Sequence, residues 1–306
     1  MVSRLAWLGL GNMGRGMAKN LAAKGEFDGP LIVYNRTVAR ANQFQAENPN
    51  TVVAASVFEA VAHADIIFTC LGDDSAVSET VNSIIGSGNL KGKLFIDCST
   101  IHPDTTTAIA QKFQDAGAEF VASPVFGAPA MADAGQVICV LAGPSKSIDK
   151  VKPFTTGVIA KSFMDFSDHP HAKASQLKIL GNTFVLRMVE SIAEGHVVAE
   201  KCGLGTQALH QFFEAVFPGP YVAYSGRMLS GDYCTRAEPH FAVDLARKDA
   251  RHAMNLAQTS GTTMKGVELV DGYMEKVKNY MGDRGDVASI YGAVRQDAGL
   301  KFENKE

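Results

Sequence analysis

Leu5-Ala6-Trp7-Leu8-Gly9-Leu10-Gly11-Asn12-Met13-Gly14 is a short apolar run ending in three spaced glycines, and Met17, Ala18, Leu21 and Ala22 follow at helical spacing. A strand, a glycine turn and a helix in that order make a dinucleotide-binding opening. Gly9 permits the tight turn, Gly11 lets the backbone approach a pyrophosphate, and Gly14 lets the helix pack close to the strand. Leu10, Asn12 and Met13 complete the loop, and the N–H groups at the start of the helix face the phosphates. The next apolar run, Pro30–Tyr34, delivers Asn35-Arg36-Thr37 where the ribose-reading residue belongs. An NAD site asks for Asp or Glu there. A neutral Asn followed by Arg36, with Arg40 one helical turn on, suits a 2′-phosphate, so the expected cofactor is NADPH (NADP+).

The rest of the chain narrows the class. Its 306 residues are enough for two domains, and 46% hydrophobic with 20% charged residues describes an ordinary globular protein. A net charge of −3 argues against a nucleic-acid partner. No apolar run is long enough for a membrane span. The first strand begins within a few residues of Met1, which leaves no room for a signal or transit peptide, so a cytoplasmic location is expected. The five cysteines (Cys70, Cys98, Cys139, Cys202 and Cys234) are widely spaced without a CxxC, which suggests reduced thiols and no metal.

Up to about residue 166, short apolar runs alternate with helical patterns, the signature of βαβ units and a mostly parallel sheet. Strands are expected at 51–55, 65–71, 93–100, 119–123, 136–142 and 162–166. Ser56 with Glu59 reads as a capping box, Asp73-Asp74-Ser75 as a helix cap, and Pro124–Gly135 as a loop. The loops after Leu8, Tyr34, Leu71, Asp97 and Ser123 then converge at the carboxyl ends of the strands. From Asp168-His169-Pro170-His171, read as a cap, a very long helix is expected to run from about 172 to 201, and further helices near 206–216, 219–230, 238–259, 262–279 and 286–297. The charged tail Lys301–Glu306 is expected to fray. This gives an α/β Rossmann N-terminal domain, 1–170, followed by an all-α C-terminal substrate and dimerisation domain, 171–306, led by a long interdomain helix. Such a helix cannot bury every face within one subunit, so a homodimer or homotetramer is expected.

A nicotinamide enzyme must supply a proton donor and hold the substrate. Lys178 and Asn182 stand at i, i+4 early in the long helix, on one face. A partly buried Lys178 can protonate a developing alkoxide, with Asn182 fixing the ammonium and the substrate oxygen. Lys173 reads as a solvated lysine. His169 and His171 have no carboxylate or cysteine cluster to complete a metal site.

The sequence resembles the β-hydroxyacid dehydrogenases, the group containing 3-hydroxyisobutyrate dehydrogenase, tartronate semialdehyde reductase and the plant-type glyoxylate/succinic semialdehyde reductases. Gly9-Leu10-Gly11-Asn12-Met13-Gly14-x-x-Met17-Ala18-x-Asn20-Leu21 carries the resemblance at the start. Asp97-x-Ser99-Thr100, Pro124-Val125-x-Gly127, Lys178-x-x-x-Asn182 and Phe241-x-x-x-Leu245-x-x-Lys248-Asp249 carry it through the rest. It implies an oxidoreductase acting on a small carbonyl or hydroxy substrate, with Lys178 and Asn182 catalytic. It places Leu71, Gly72, Thr100 and Lys248 with the cofactor, and Ser99, Phe126 and Gly127 with the substrate.

The departures lie on the substrate side. The family's substrate loop reads Ser-Gly-Gly where this chain has Phe126-Gly127-Ala128, and its Leu-Pro after the fourth strand is Leu71-Gly72. Losing the hydroxyl and gaining a ring suggests a substrate larger and less acidic than a small hydroxy acid or semialdehyde. Two other readings stand beside this one: an imine reductase of the same two-domain layout, and an NADPH-binding interaction protein with little catalysis.

Overall fold

The structure is a computed structural model that describes residues 3–86 and 88–305. The first compact unit ends at Lys178 and the second begins at Ile179. In the first unit, β1 (Leu5–Leu8), α1 (Asn12–Lys24), β2 (Leu31–Tyr34), α2 (Val38–Glu47), β3 (Thr51–Val53), α3 (Val57–Ala62), β4 (Ile66–Thr69), α4 (Asp74–Ile85), β5 (Leu94–Asp97), α5 (Pro103–Asp115) and β6 (Glu119–Ala122) alternate strictly. Then come β7 (Val125–Phe126), α6 (Pro129–Asp133), β8 (Val137–Gly143), α7 (Ser145–Val151) and β9 (Ala160–Ser167).

These strands form one sheet in the order β3-β2-β1-β4-β5-β6-β8-β7, with β9 pairing β8. The pairs from β3 to β6 are parallel, whereas β8 runs antiparallel to β6 and β7. β1 is apolar and buried at every position because both faces of the sheet are covered there. Leu5, Trp7, Val33 and Phe68 pack in one cluster, and their neighbours Ala6, Leu8, Ile32 and Ile67 pack in the other. The period-two alternation thus sorts residues between two cores rather than between core and solvent. Trp7 stacks on Phe68 with ring centroids 5.4 Å apart. Because β1 pairs with both β2 and β4, the strand order reverses beside it, which opens a crevice at the carboxyl ends of those strands.

The second unit is helical. α8 (Ala172–Lys201) enters it, followed by α9 (Thr206–Val216), α10 (Pro220–Ser230), α11 (Asp232–Thr235), α12 (Val243–Thr259), α13 (Lys265–Met281) and α14 (Ile290–Asp297). Its core joins Leu186, Val189, Ile192 and Val197 of α8 to Ala246 and Ala250 of α12 and to Val270 and Met274 of α13. Gly195 does not interrupt α8, and a Cβ there would come within 3.1 Å of Leu209. No helix among the described residues is long and apolar enough to cross a membrane.

Several local expectations are corrected. The segment Pro124–Gly135 is not a plain loop: β7 is two residues long, too short to show a period, and Pro129 starts α6. Asp168 does not cap α8. Its carboxylate accepts from Ser145 N at the start of α7, and its φ of 61° is the left-handed conformation an Asp tolerates. At α3, Ser56 accepts from Glu59 N as expected, but the Glu59 carboxylate reaches back to Ala55 N rather than to Ser56 N. The helix expected from 238 begins at Val243, because Asp286 holds His240 N and Phe241 N before it. The tail is anchored rather than frayed: Phe302 is buried over Gly292 and stacks on Tyr280, and Asn304 donates to Met228 O. Glu306 lies outside the described residues.

Candidate active site

The glycine turn is locked from three sides. Gly9 N donates to Tyr34 O, Trp7 Nε1 donates to Gly9 O, and Leu10 N donates to Asn35 Oδ1. Gly9 has a φ of +102°, and a Cβ there would lie 2.3 Å from Cys70 O. A Cβ on Gly14 would fall 2.1 Å from Gly9 O, so this glycine is required by helix–strand approach. Gly11 is different, because a Cβ there would meet nothing within 4 Å. The open position sits at the N-cap of α1, beside Asn12 and Met13, and its shape and first-turn N–H groups fit a dinucleotide pyrophosphate.

Asn35 is a strut of this turn. Its oxygen accepts from Leu10 N and its nitrogen donates to Thr37 O. Arg36 and Arg40 are exposed beyond it, and Thr37 is the N-cap of α2. Sequence reasoning gave Trp7 no role, and a lone indole inside a strand carries no signal that it will tie down the following turn.

At the ends of β4 and β5 a buried polar network fixes the next loops. Asp97 Oδ1 accepts from Thr69 Oγ1 at 2.7 Å and from Ser99 Oγ at 2.6 Å. Ser99 Oγ in turn accepts from Leu71 N at 2.8 Å. The only proton of Ser99 is therefore spent on Asp97, and one lone pair on the Leu71–Gly72 loop. The observed contacts of Ser99 tie two loops together. Thr100 is half-buried next to it, and Gly72 is exposed. Burial pushes the Cys70 thiol up to about 12, the Asp97 carboxylate adding to the rise and the Lys178 charge opposing it, so Cys70 is an inert thiol.

The segment from Val125 to Asp133 is held by α1. Asn20, only 4% exposed, donates from Nδ2 to Gly16 O, Ala132 O and Asp133 O. A Cβ on Gly16 would lie 2.6 Å from Asp133 N, and Lys19 pairs with Asp133 at 2.8 Å. α1 therefore grips α6, and Asn20, although inside the quoted motif, had no role visible in sequence. Phe126 is half-buried at the end of β7, and Gly127 is exposed with a φ of +148°. Lys178, 8% exposed, extends from α8 so that its ammonium lies 4.8 Å from the centre of the Phe126 ring. Leu71, Phe126 and Leu177 rim the same apolar cluster.

In the helical unit, Asn182 donates to Asp249 Oδ2 at 2.6 Å, and Lys248 Nζ lies 3.1 Å from Asp249 Oδ1. Asp249 thus joins two of the expected site residues, a role not legible from its place in the motif. All three are buried, with Lys248 8% exposed. Lys173 is exposed. His171 packs on Phe120, its Nε2 3.0 Å from Phe120 O, and burial lowers its pKa.

Residues 4–164 match the family described as the NAD binding domain of 6-phosphogluconate dehydrogenase. Residues 172–294 match that described as the NAD-binding domain of NADP-dependent 3-hydroxyisobutyrate dehydrogenase. The NADH-dependent oxidoreductase ucdB of Aspergillus ustus is 36% identical, over 95% of this chain and 98% of that one. Among solved structures, 3-hydroxyisobutyrate dehydrogenase of Mycobacterium tuberculosis with L-serine superposes with a TM-score of 0.79 at 23% identity, covering 96% of this chain and all of that one. An imine reductase from Pseudomonas sp. shares the fold with a TM-score of 0.61 at 20% identity, over 96% of this chain and 99% of that one.

Proposed function

The chain belongs to the 3-hydroxyisobutyrate dehydrogenase family of NAD(P)-dependent oxidoreductases, and from that premise we propose that it is an NADPH-dependent carbonyl reductase with Lys178 as proton donor. The observation that carries this reading is the buried Lys178 ammonium held over Phe126, in the unit whose glycine turn fits the pyrophosphate. A bound dihydronicotinamide supplies a hydride, and the protein supplies the rest. As the carbonyl carbon gains the hydride, the π pair moves to oxygen and the oxygen takes a proton from Lys178 Nζ. The products are an alcohol and NADP+, and the neutral amine recovers its proton from water. The reverse reaction uses neutral Lys178 as base. Asn182, one helical turn further along α8, is oriented by Asp249 and acts as a positioning residue; Lys248 is a second cation for an anionic group.

The cofactor-binding set is Gly9 to Gly14, Asn35 to Thr37, Leu71, Gly72, Thr100 and Lys248. Arg36 and Arg40 stand exposed at the start of α2 and supply positive charge for a 2′-phosphate, which supports NADPH. NADH is the second reading, favoured by the name of the Aspergillus ustus relative. Steady-state kinetics with both cofactors separate them. Wild type should prefer NADPH in kcat/KM by about tenfold or more, and Arg36→Ala should remove most of that preference, since a charge-assisted hydrogen bond contributes about 1.5–3 kcal/mol. An equal or NADH-favouring ratio in the wild type contradicts the NADPH assignment.

Imine reduction is the second reaction reading, favoured by the apolar Phe126 ring. A protonated iminium would sit against the like charge of Lys178 and needs no proton, so the lysine favours a carbonyl. The exposed Leu180, Phe184 and Val198 of α8 support a homodimer or homotetramer, which light scattering of the purified protein tests.

A further inference from the structure

The substrate loop contains no side chain that can donate a hydrogen bond. From Pro124 to Ala132 it reads Pro-Val-Phe-Gly-Ala-Pro-Ala-Met-Ala, with two prolines that also lack an N–H. Lys178 lies beside it, and the ring of Phe126 faces that ammonium at 4.8 Å. The ring face carries the negative lobe of the aromatic quadrupole, which attracts the ammonium and repels an anion placed in the same position. Val137 and Met131 close the floor behind Gly127: a Cβ on that glycine would lie 3.0 Å from Val137 Cγ1 and 3.3 Å from Met131 Cβ. Phe126 itself is fixed from below by the apolar cluster that Leu71 and Leu177 also rim. The flank of the reacting centre next to this loop is therefore an apolar, aromatic wall beside Lys178, and that ammonium is needed for the proton.

We propose that Phe126 is the specificity-determining residue, and that the substrate is an uncharged carbonyl compound with an aryl or bulky alkyl group next to the reacting carbon, rather than an acid whose carboxylate occupies that flank. This rests on the assignment of Lys178 as proton donor to a carbonyl. The aryl group stacks on the exposed part of Phe126, while the carbonyl oxygen points at Lys178 Nζ. A carboxylate in the same place would find the ammonium already covered on its Phe126 side and no side-chain donor on the loop.

The test compares phenylacetaldehyde with succinic semialdehyde, each reduced by wild type, Phe126→Ser and Phe126→Leu with saturating NADPH. NADPH binding is measured separately by fluorescence as a control for folding and cofactor capture. Wild type should favour phenylacetaldehyde in kcat/KM by about tenfold or more, the scale of discrimination an apolar pocket reaches. Phe126→Ser should lose about tenfold on the aryl aldehyde, mainly through KM, and move the ratio towards the acid; Phe126→Leu should retain most of the preference because the wall stays apolar. 2-Phenylethanol, which cannot react with the reduced cofactor, should raise the Tm of the NADPH complex of wild type and not that of Phe126→Ser. An acid-first wild type, or a ratio that Phe126→Ser leaves unchanged, overturns the proposal and leaves the carbonyl reductase reading standing. Intact NADPH binding with no reduction of either aldehyde, or of a wider carbonyl panel, overturns both.

Discussion

The two units use their buried polar groups for different ends. In the nucleotide-binding unit these groups hold loops at the carboxyl edge of the sheet: Trp7 and Asn35 on the glycine turn, Asp97 and Ser99 on the loops after β4 and β5, and Asn20 on α6. In the helical unit they tie one helix to another. Ser225 Oγ lies 2.7 Å from His196 Nε2 on α8 and 2.7 Å from His210 Nδ1 on α9. Tyr233 donates to Phe302 O, and Asp286 organises the approach to α12. The first pattern holds loops and the second holds helices. Substitutions at the loop-holding groups should therefore show in binding or turnover, whereas those at Ser225, Tyr233 and Asp286 should show in stability alone.

The sharpest contrast is expected at Lys178. Lys178→Ala should lower kcat by ~10²–10⁴, the usual worth of a general acid, with NADPH affinity unchanged. Lys173→Ala, on the same helix but exposed, should leave both unchanged. Near-normal turnover in Lys178→Ala would break the division of labour at its centre.

Two glycines of one turn should behave in opposite ways. Gly14→Ala forces a Cβ to within 2.1 Å of Gly9 O and should destabilise the unit by about 1–3 kcal/mol or more. Gly11→Ala meets nothing within 4 Å, so thermal stability should be kept while NADPH binding is lost. A destabilised Gly11→Ala with normal cofactor affinity would show that the open position at α1 is not the pyrophosphate cradle.

Acid should find the helical unit through His196. Burial pushes this imidazole down from 6.5 to about 4, with His210 adding to the effect. The folded state therefore resists a proton that the unfolded chain accepts. Stability is complete above about pH 6.5 and falls as the pH drops towards 4, by up to about 1.4 kcal/mol per pH unit. Denaturant unfolding between pH 7 and 4 checks the slope, and His196→Gln should flatten it. A slope unchanged by that substitution would remove His196 from the account.

The smallest effect is expected at Asn20. Asn20→Ala leaves buried carbonyls at α6 without their donor and should cost about 1–3 kcal/mol. If this residue serves the loop rather than the core as a whole, KM for the carbonyl should rise more than KM for NADPH. An equal rise in both would make Asn20 a general packing residue.

How much of this could be read from sequence follows the same divide. The βαβ alternation, the glycine turn and the long helix were legible because each depends on local residue types at fixed spacing, and the DxST segment through the family resemblance. Asp73 at the N-cap of α4 was equally local. The misses were long-range. Asp168 caps α7 rather than α8 because the chain returns beside Ser145, and Phe302 anchors a charged tail because Gly292 leaves a slot for its ring. Asn20 reaches α6 across more than a hundred residues, and β7 is too short to have a period. The Phe126 departure was visible in sequence, but its contact with Lys178 required the fold.

The most direct test of the central claim follows the hydride and the proton separately. Wild type is given 4-deuterated NADPH, in the reactive stereochemistry, and phenylacetaldehyde, and the alcohol is analysed by NMR. The account predicts deuterium on the carbinol carbon at stoichiometric yield, and labelled alcohol forming ~10²–10⁴ more slowly with Lys178→Ala at equal NADPH occupancy. Labelled alcohol formed by Lys178→Ala at the wild-type rate, or NADPH consumed without label reaching the carbinol carbon, would contradict it.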